Sequence, residues 1–319
     1  MKFALGIDTS NYKTSIALTD EDGNIIFDDR ILLTVKNGKR GLRQQEALFQ
    51  HINNLPILFN KMLKNIDGRN IVVVSVSDRP RSVEGSYMPT FLAGVSQAKI
   101  ISSMLACPLY TFSHQEGHIR AASKYTALSN SDKYICFHFS GGTTEALLYD
   151  KHKLKIIGGS KDISFGQLID RIGVVLGFDF PCGDKLDSLA YEYVNTKKLP
   201  VSIEYPKVKS MRGYINLSGI ETSIIRQIEA SNLESEEVKL LAIKLFIRIK
   251  EAITSIIKDL SDEYNIYDFL FAGGVSSSRT LRNLIETDKG EQKYFFCDAD
   301  KASDNAIGIS LLGGEKIWQ

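Results

Sequence analysis

The sequence predicts a mixed α/β protein of two lobes, each a sheet covered by helices. Three observations carry this expectation. The chain has 319 residues, more than one hydrophobic core comfortably serves. Its first part reads as three strands joined by short turns, then strand, helix, strand, helix, the order of a mixed sheet with helical crossovers. The same opening of strand, small polar turn and strand returns at Tyr134. Lobes are therefore expected at 1–125 and 126–319, with the last helix a candidate to pack back on the first lobe.

The first lobe starts with an apolar run, 3–8, ending in Asp8, and a second strand, 14–19. Between them, Thr9-Ser10-Asn11-Tyr12-Lys13 is a hydroxyl-rich turn that can present N–H groups and hydroxyls to phosphate oxygens. Standing alone it would read as an ordinary hairpin tip. Asp22-Gly23-Asn24 is a hairpin turn leading into 25–33. Residues 34–43 form a basic loop. Leu48, Ile52, Leu55, Leu58 and Met62 recur at helical spacing over 44–64, with Pro56 a point of kink or break. A buried strand at 71–77 meets the turn Asp78-Arg79-Pro80-Arg81. A helix over 92–106 and a short strand over 109–112 then run into Phe112–His118.

That last stretch holds two of the five histidines. On a helix, His114 and His118 stack on one face, one turn apart, and offer two nitrogen ligands to one metal ion. The plainer reading is two polar residues on a solvated face. Asp304, within Ala302-Ser303-Asp304-Asn305-Ala306, is a candidate third ligand.

In the second lobe, strands are expected at 134–139 and 145–149 around the turn Ser140-Gly141-Gly142-Thr143-Thr144, with a hairpin tip at 151–153. His138 and His152 read as structural. Helices follow at 167–176, carrying Asp170, and at 184–194, after a loop over 177–183. Residues 195–214 are loop-like and basic, with Lys197, Lys198, Lys207, Lys209 and Arg212. The longest helix, 235–262, is apolar at Val238, Leu241, Leu245, Ile249, Ile253 and Ile256. A strand at 269–272 ends in Gly273-Gly274-Val275-Ser276-Ser277-Ser278, which opens a helix near Arg279. A strand at 294–297 and a helix at 304–318 complete the pattern.

Three turns, 9–14, 140–144 and 273–278, each follow a strand and are candidates for nucleotide contact. Glycine there lets backbone approach a phosphate or base without a Cβ in the way. The third also precedes a helix, whose first N–H groups favour anions.

Composition sets the bounds. Hydrophobic content of 43% and charged content of 24% are those of an ordinary globular protein. A net charge of +1 gives no global field, so nucleic acid must be met by a local patch. Cys107, Cys136, Cys182 and Cys297 form no CxxC pair and read as reduced thiols. No apolar run approaches the roughly 20 residues of a membrane span, and the start shows no signal-peptide layout. A cytoplasmic protein without a membrane partner is expected.

Gly-Ile-Asp-Thr-Ser, His114-Gln-Glu-Gly-His118, Ser140-Gly-Gly-Thr, Gly273-Gly-Val-Ser and Ser303-Asp-Asn together resemble the universal tRNA threonylcarbamoyladenosine transferase subunit, formerly labelled O-sialoglycoprotein endopeptidase or glycoprotease. The resemblance runs from Gly6 to about Leu311. It implies the two-lobed fold of actin, sugar kinases and heat-shock chaperone ATPases, with duplicated ribonuclease H-like lobes. It further implies one transition metal, iron or zinc, on His114, His118 and Asp304. Phe139, Ser140, Gly141, Gly142 and Thr143 would line a pocket for ATP or a carbamoyl-adenylate. Asp170 and Gly183 would serve its ribose and adenine side and Ser278 another adenine contact, with Gly273 and Gly274, like Ser140–Thr144, near the phosphates. Implied partners are an adenine nucleotide, tRNA through local basic loops, and proteins of the same modification pathway.

The departures from the family pattern point to a divergent paralogue. Tyr12-Lys13 replaces an acidic pair, Thr143 a histidine, Ser278 an asparagine, and Arg79-Pro80-Arg81 a glycine-proline-glycine turn. Acid–base work would then fall to Asp8 or Glu145. The alternatives are a nucleotide-binding regulatory or scaffold protein and a carbamoyltransferase acting on a small molecule. Proteolysis ranks last, because Glu116 lies one position later than the base of a His-Glu-x-x-His site.

Overall fold

The computed structural model describes residues 1–10, 12–35, 42–151, 153–200, 202–288, 290–297 and 306–318. The chain divides into two compact units, Met1–Lys124 with Ser303–Gln319, and Tyr125–Ala302.

In the first unit, β1 (Phe3–Thr9), β2 (Lys13–Thr19), β3 (Ile25–Leu32), β4 (Ile71–Arg79) and β5 (Leu109–Ser113) form one sheet ordered β3-β2-β1-β4-β5. The three-strand meander is antiparallel, and β4 and β5 run parallel to β1. Gly23 makes the β2–β3 turn at φ +72°, a left-handed conformation that side chains disfavour. The pleat splits β1 between two cores. Phe3, Leu5 and Ile7 join Leu55 and Leu58 of α1 (Gln44–Leu63) and Ala93 and Ala98 of α2 (Phe91–Leu105). Gly6 instead faces the last helix, Ile307–Trp318, where a Cβ would meet the Ser310 backbone nitrogen at 2.5 Å. That helix packs on β1, β4 and α3 (His114–Lys124), and its residues Ile307–Gly314 are all buried. A Cβ at Gly117 of α3 would approach Ile309 Cδ1 to 2.8 Å, so the glycine of the histidine motif admits this helix.

In the second unit, β6 (Lys133–Phe139), β7 (Thr144–Asp150), β8 (Lys153–Ser160), β9 (Tyr214–Ile215), β10 (Asp268–Ala272) and β11 (Lys293–Phe296) are ordered β11-β10-β6-β7-β8-β9. The helices are α4 (Phe165–Val175), α5 (Gly183–Thr196), α6 (Ser218–Ala230), α7 (Ser235–Tyr264) and α8 (Arg279–Glu286). Strands β8-β7-β6-β10-β11 repeat β3-β2-β1-β4-β5 in order and direction. The restart at Tyr134 is thus a second copy of one topology.

Most expected elements lie within two residues of their sequence bounds, and the differences have physical causes. Helix α1 runs unbroken through Pro56, whose side chain is exposed while Leu55 and Leu58 anchor the turn on either side. Its buried face is Ala47, His51, Leu55, Leu58 and Met62, whereas Ile52 is 51% exposed. Strand β8 and helix α6 were not anticipated. In β8 lysines alternate with apolar residues, and Gly158 and Gly159 precede its last residue, Ser160. The start of α6 is capped from far away: Asp162 accepts from Leu217 N and Ser218 N, each at 2.9 Å at its shortest. Asn11, much of the basic loop 34–43, His152, and the Asp304 and Asn305 start expected for the last helix lie outside the described residues. Among the described residues no helix is long and apolar enough to cross a membrane. All four cysteines are free thiols.

Candidate functional site

Ser113 closes β5 and opens α3. Its amide donates to Glu116 Oε2 at 2.6 Å, and its Oγ accepts from the Glu116 amide at 3.1 Å. This reciprocal cap is the local reason the helix starts at His114. It also engages Glu116, which further lies 3.6 Å from Arg79 Nη2.

The start of α3 sets His114 against the end of β1. Asp8 is fully buried, and its Oδ1 accepts both from Ser77 Oγ on β4 and from His114 Nδ1, the latter at 2.9 Å. An ionised carboxylate only accepts, so His114 carries its proton on Nδ1 and presents a lone pair at Nε2. His118 Nε2 lies 2.9 Å from that atom, with the rings edge to face at a centroid separation of 4.3 Å. The two imidazoles therefore converge, as the i, i+4 spacing requires. Asp304 lies outside the described residues, and among those described no group of three His, Cys, Asp or Glu side chains could hold a metal.

Between β1 and β2, Thr9 Oγ1 donates to Thr90 O at 3.1 Å, and Ser10 is buried. Thr14 Oγ1 contacts His51 Nδ1 at 2.8 Å and accepts from Asn54 Nδ2 at 3.1 Å. Tyr12 is exposed and Lys13 half-buried. His51 escaped the sequence reading because a lone polar residue in an amphipathic helix reads as surface. Its three-residue offset from Asn54, facing a hydroxyl-rich turn, was the available signal.

The second unit gathers the remaining candidates at the carboxyl ends of β6 and β10, where α/β sheets bind ligands. The turn after β6 is held by Ser140 N donating to Thr143 O at 2.9 Å and Thr143 N to Ser140 Oγ at 3.1 Å. Ser164 Oγ, from the cap of α4, donates to Gly141 O at 2.8 Å. A Cβ on Gly141 or Gly142 would meet nothing within 4 Å, so this backbone faces open space. Gly273, at φ +91°, lies against the Phe139 carbonyl, which brings the Gly273-Gly274 turn beside Phe139 and Ser140. On α4, Gly166 packs on the Ser140–Gly141 backbone, and Asp170 is one turn further along the same face. Asp170 Oδ1 accepts from Cys182 N at 2.8 Å and so fixes the entry to Gly183. Glu145, half-buried on β7, sits across from His138.

The amino end of α8 differs from the expected anion site. Asp187 of α5 already accepts from Ser278 Oγ at 2.6 Å and from the Arg279 and Thr280 amides at 3.0 Å. Ser278 Oγ in turn caps Leu281 N at 3.1 Å. A carboxylate thus fills the place reserved for a phosphate. Asp187 was missed because nothing in α5 alone shows that it faces another helix's start.

The protein has 28% identity over 330 residues to the tRNA N6-adenosine threonylcarbamoyltransferase of Fervidobacterium nodosum, covering 98% of this chain and 93% of that one. Among solved structures it is similar to T. kodakarensis HypF, with a TM-score of 0.65 at 14% identity over 99% of this chain and 48% of that one. It is also similar to a ROK family glucokinase from Streptomyces griseus, with a TM-score of 0.53 at 11% identity, over 98% and 99%. These likenesses show the fold of the actin, sugar kinase and chaperone ATPase class. The family model of TsaD, tRNA N6-adenosine threonylcarbamoyltransferase, matches residues 32–310, and the chain belongs to that family.

Proposed function

We propose that the chain binds an adenine nucleotide and moves a carbamoyl-type group, threonylcarbamoyl in its family, from an adenylate to the adenosine amine of tRNA. The observation that carries this is the backbone cradle of the second unit. Ser140–Thr143 and Gly273-Gly274 lie together, with Gly141 and Gly142 bare toward open space. Bare backbone is what close contact with a nucleotide requires. Asp170, Gly183 and Ser278 are proposed for the adenosine side, with Ser278 reaching it from its bond to Asp187.

In the transfer, the amine nitrogen bonds to the carbamoyl carbon, and the bond from that carbon to the phosphate oxygen breaks. AMP leaves with the electron pair, and the amine gives up one proton. Glu145 is proposed to take it, and Asp8 to act through His114. The residues of the first unit fit a metal: nitrogens about 2.1 Å from one ion stand roughly 3.0–3.4 Å apart, close to the spacing of His114 and His118. Iron or zinc on His114, His118 and Asp304 would supply Lewis acidity toward a carbonyl or phosphate oxygen. Exposed Lys198, Lys207, Lys209 and Arg212 are proposed to meet the tRNA backbone, with pathway proteins as further partners in the cytoplasm. Glu116 is engaged in its helix cap, which disfavours a proteolytic reading.

Tyr12 and Lys13 favour a second reading, a paralogue that binds nucleotide but turns over slowly or on another acceptor, because that turn holds no carboxylate pair. Complementation of a cell lacking its own transferase subunit, with modified adenosine measured in tRNA by mass spectrometry, separates the two. Full modification supports the tRNA reading. No modification, with nucleotide binding retained, supports the paralogue.

A further inference from the structure

Residues 205–217 carry Lys207, Lys209 and Arg212 and no carboxylate. The segment 203–213 is fastened along α7. Lys244 donates to Glu204 at 2.8 Å, and Arg248 Nη2 to Ile203 O at 2.7 Å. Ser255 Oγ accepts from Ser210 N at 2.8 Å, and Asp259 Oδ2 from Gly213 N at 3.2 Å. Positions 244, 248, 255 and 259 share one helix face, so α7 sets the course of the segment. It ends in a two-residue turn, where Met211 and Tyr214 exchange backbone hydrogen bonds at 2.9 and 3.1 Å around Arg212 and Gly213. Both central residues have positive φ, +52° and +79°. That geometry suits Asn-Gly, and an arginine held in it is strained.

The turn stands at the cradle end of the second sheet. Gly213 O accepts from Gly159 N at 2.8 Å, and a Cβ on Gly158 would collide with that carbonyl. A Cβ on Gly159 would collide with Thr144 O, so the two glycines of β8 admit the turn on one side and the start of β7 on the other. Two strand spacings, about 10 Å, therefore separate it from the Ser140–Thr144 turn. Its charges are unmatched. Exposed Lys161, Lys207, Lys209 and Arg212 meet no carboxylate among the described residues, and Lys161 lies over the Tyr214 ring, 5.1 Å from its centroid. Asp162 and Asp259, which bond to this stretch, are engaged by its backbone amides.

We propose that the Met211–Tyr214 turn is an RNA-backbone contact, in which α7 fixes the segment so that Arg212 is presented to a phosphate of tRNA. The inference rests on the tRNA reading above and adds the residue and the fixed course that bring the nucleic acid to the cradle end of the sheet. A segment already ordered gives up little freedom on binding. The alternative, a solvated turn without function, accounts for the charges. It does not account for arginine at a position where asparagine would sit without strain.

Fluorescence anisotropy with an unmodified tRNA transcript over a series of salt concentrations, together with thermal denaturation, compares the full wild-type chain with three variants. These are Arg212→Asn, Arg212→Lys and, as a charge control, Lys133→Met, since Lys133 is exposed at the opposite end of the sheet. Arg212→Asn should raise the thermal midpoint by about 2–4 °C as the turn relaxes. It should also weaken tRNA about three- to tenfold and make the salt slope shallower by about one. Arg212→Lys keeps the charge and the strain, and should keep most of the wild-type affinity and midpoint. Lys133→Met should bind as wild type does. Unchanged affinity and slope in a stabilised Arg212→Asn overturns the proposal, as does a midpoint that does not rise, or an equal loss in Lys133→Met. If wild type binds no tRNA, the tRNA reading itself fails and this contact falls with it.

Discussion

Asp8 ties β1 to β4 and α3 at one atom, because its Oδ1 receives both Ser77 and His114. A carboxylate so placed fixes which nitrogen of His114 faces outward, the task of outer-shell partners at metal sites. Asp8→Asn keeps the shape but weakens the hold on the Nδ1 proton. Metal affinity is expected to fall about tenfold with little change in thermal midpoint, measured by elemental analysis after dialysis against a graded chelator. Equal retention would remove Asp8 from the site. A second prediction concerns His51. Its folded pKa lies below the unfolded value of about 6.5, so between the two the unfolded chain binds more protons. Stability from this residue is complete above about pH 6.5 and is lost as pH falls below it. Urea midpoints at pH 7.5 and 5 should drop further in wild type than in His51→Gln. At this scale the histidine pair was legible, since spacing alone put both rings on one face. His51 and Asp187 were not, because each depends on an element distant in sequence.

Helices whose start signals are local were readable, and α6 shows the converse. Its cap, Asp162, lies 55 residues upstream of the Leu217 amide it serves. Burial alone would raise that carboxyl's pKa, but the amides of Leu217, Ser218 and Ile163 outweigh it and hold it at about 2. Asp162→Ala is expected to cost about 1 kcal/mol, the usual worth of a cap. Because the folded pKa is depressed, the wild-type advantage is present above about pH 3.8 and vanishes as pH falls through about 2. Denaturation of the two proteins at pH 7 and pH 2 checks this, and a gap that persists at pH 2 would point to lost packing instead. Pro56 gives the opposite lesson. A residue that should end a helix is carried within it, because the flanking Leu55 and Leu58 are buried in the core.

For the whole molecule, the repeated strand order was foreshadowed by the restart at Tyr134, and 303–319 falls in the first unit, where the sequence offered the last helix as a candidate. The last helix covers one face of β1 and β4 and buries Ile309, Leu311 and Leu312. A chain ending at residue 302 is therefore expected to keep a protected, cooperatively unfolding second unit and to lose amide protection in β1, β4 and α3. Hydrogen exchange read by peptide mass spectrometry tests this, and unchanged protection in β1 would contradict it. The same arrangement sets a timetable for the nascent chain. The second unit is contiguous, but the first must keep one sheet face uncovered until its last helix is made. At ordinary translation speeds that interval is on the order of ten to forty seconds. The portion of the protein synthesised first is thus the portion finished last, and through that wait it is the natural client of whatever holds apolar surfaces apart in the cell.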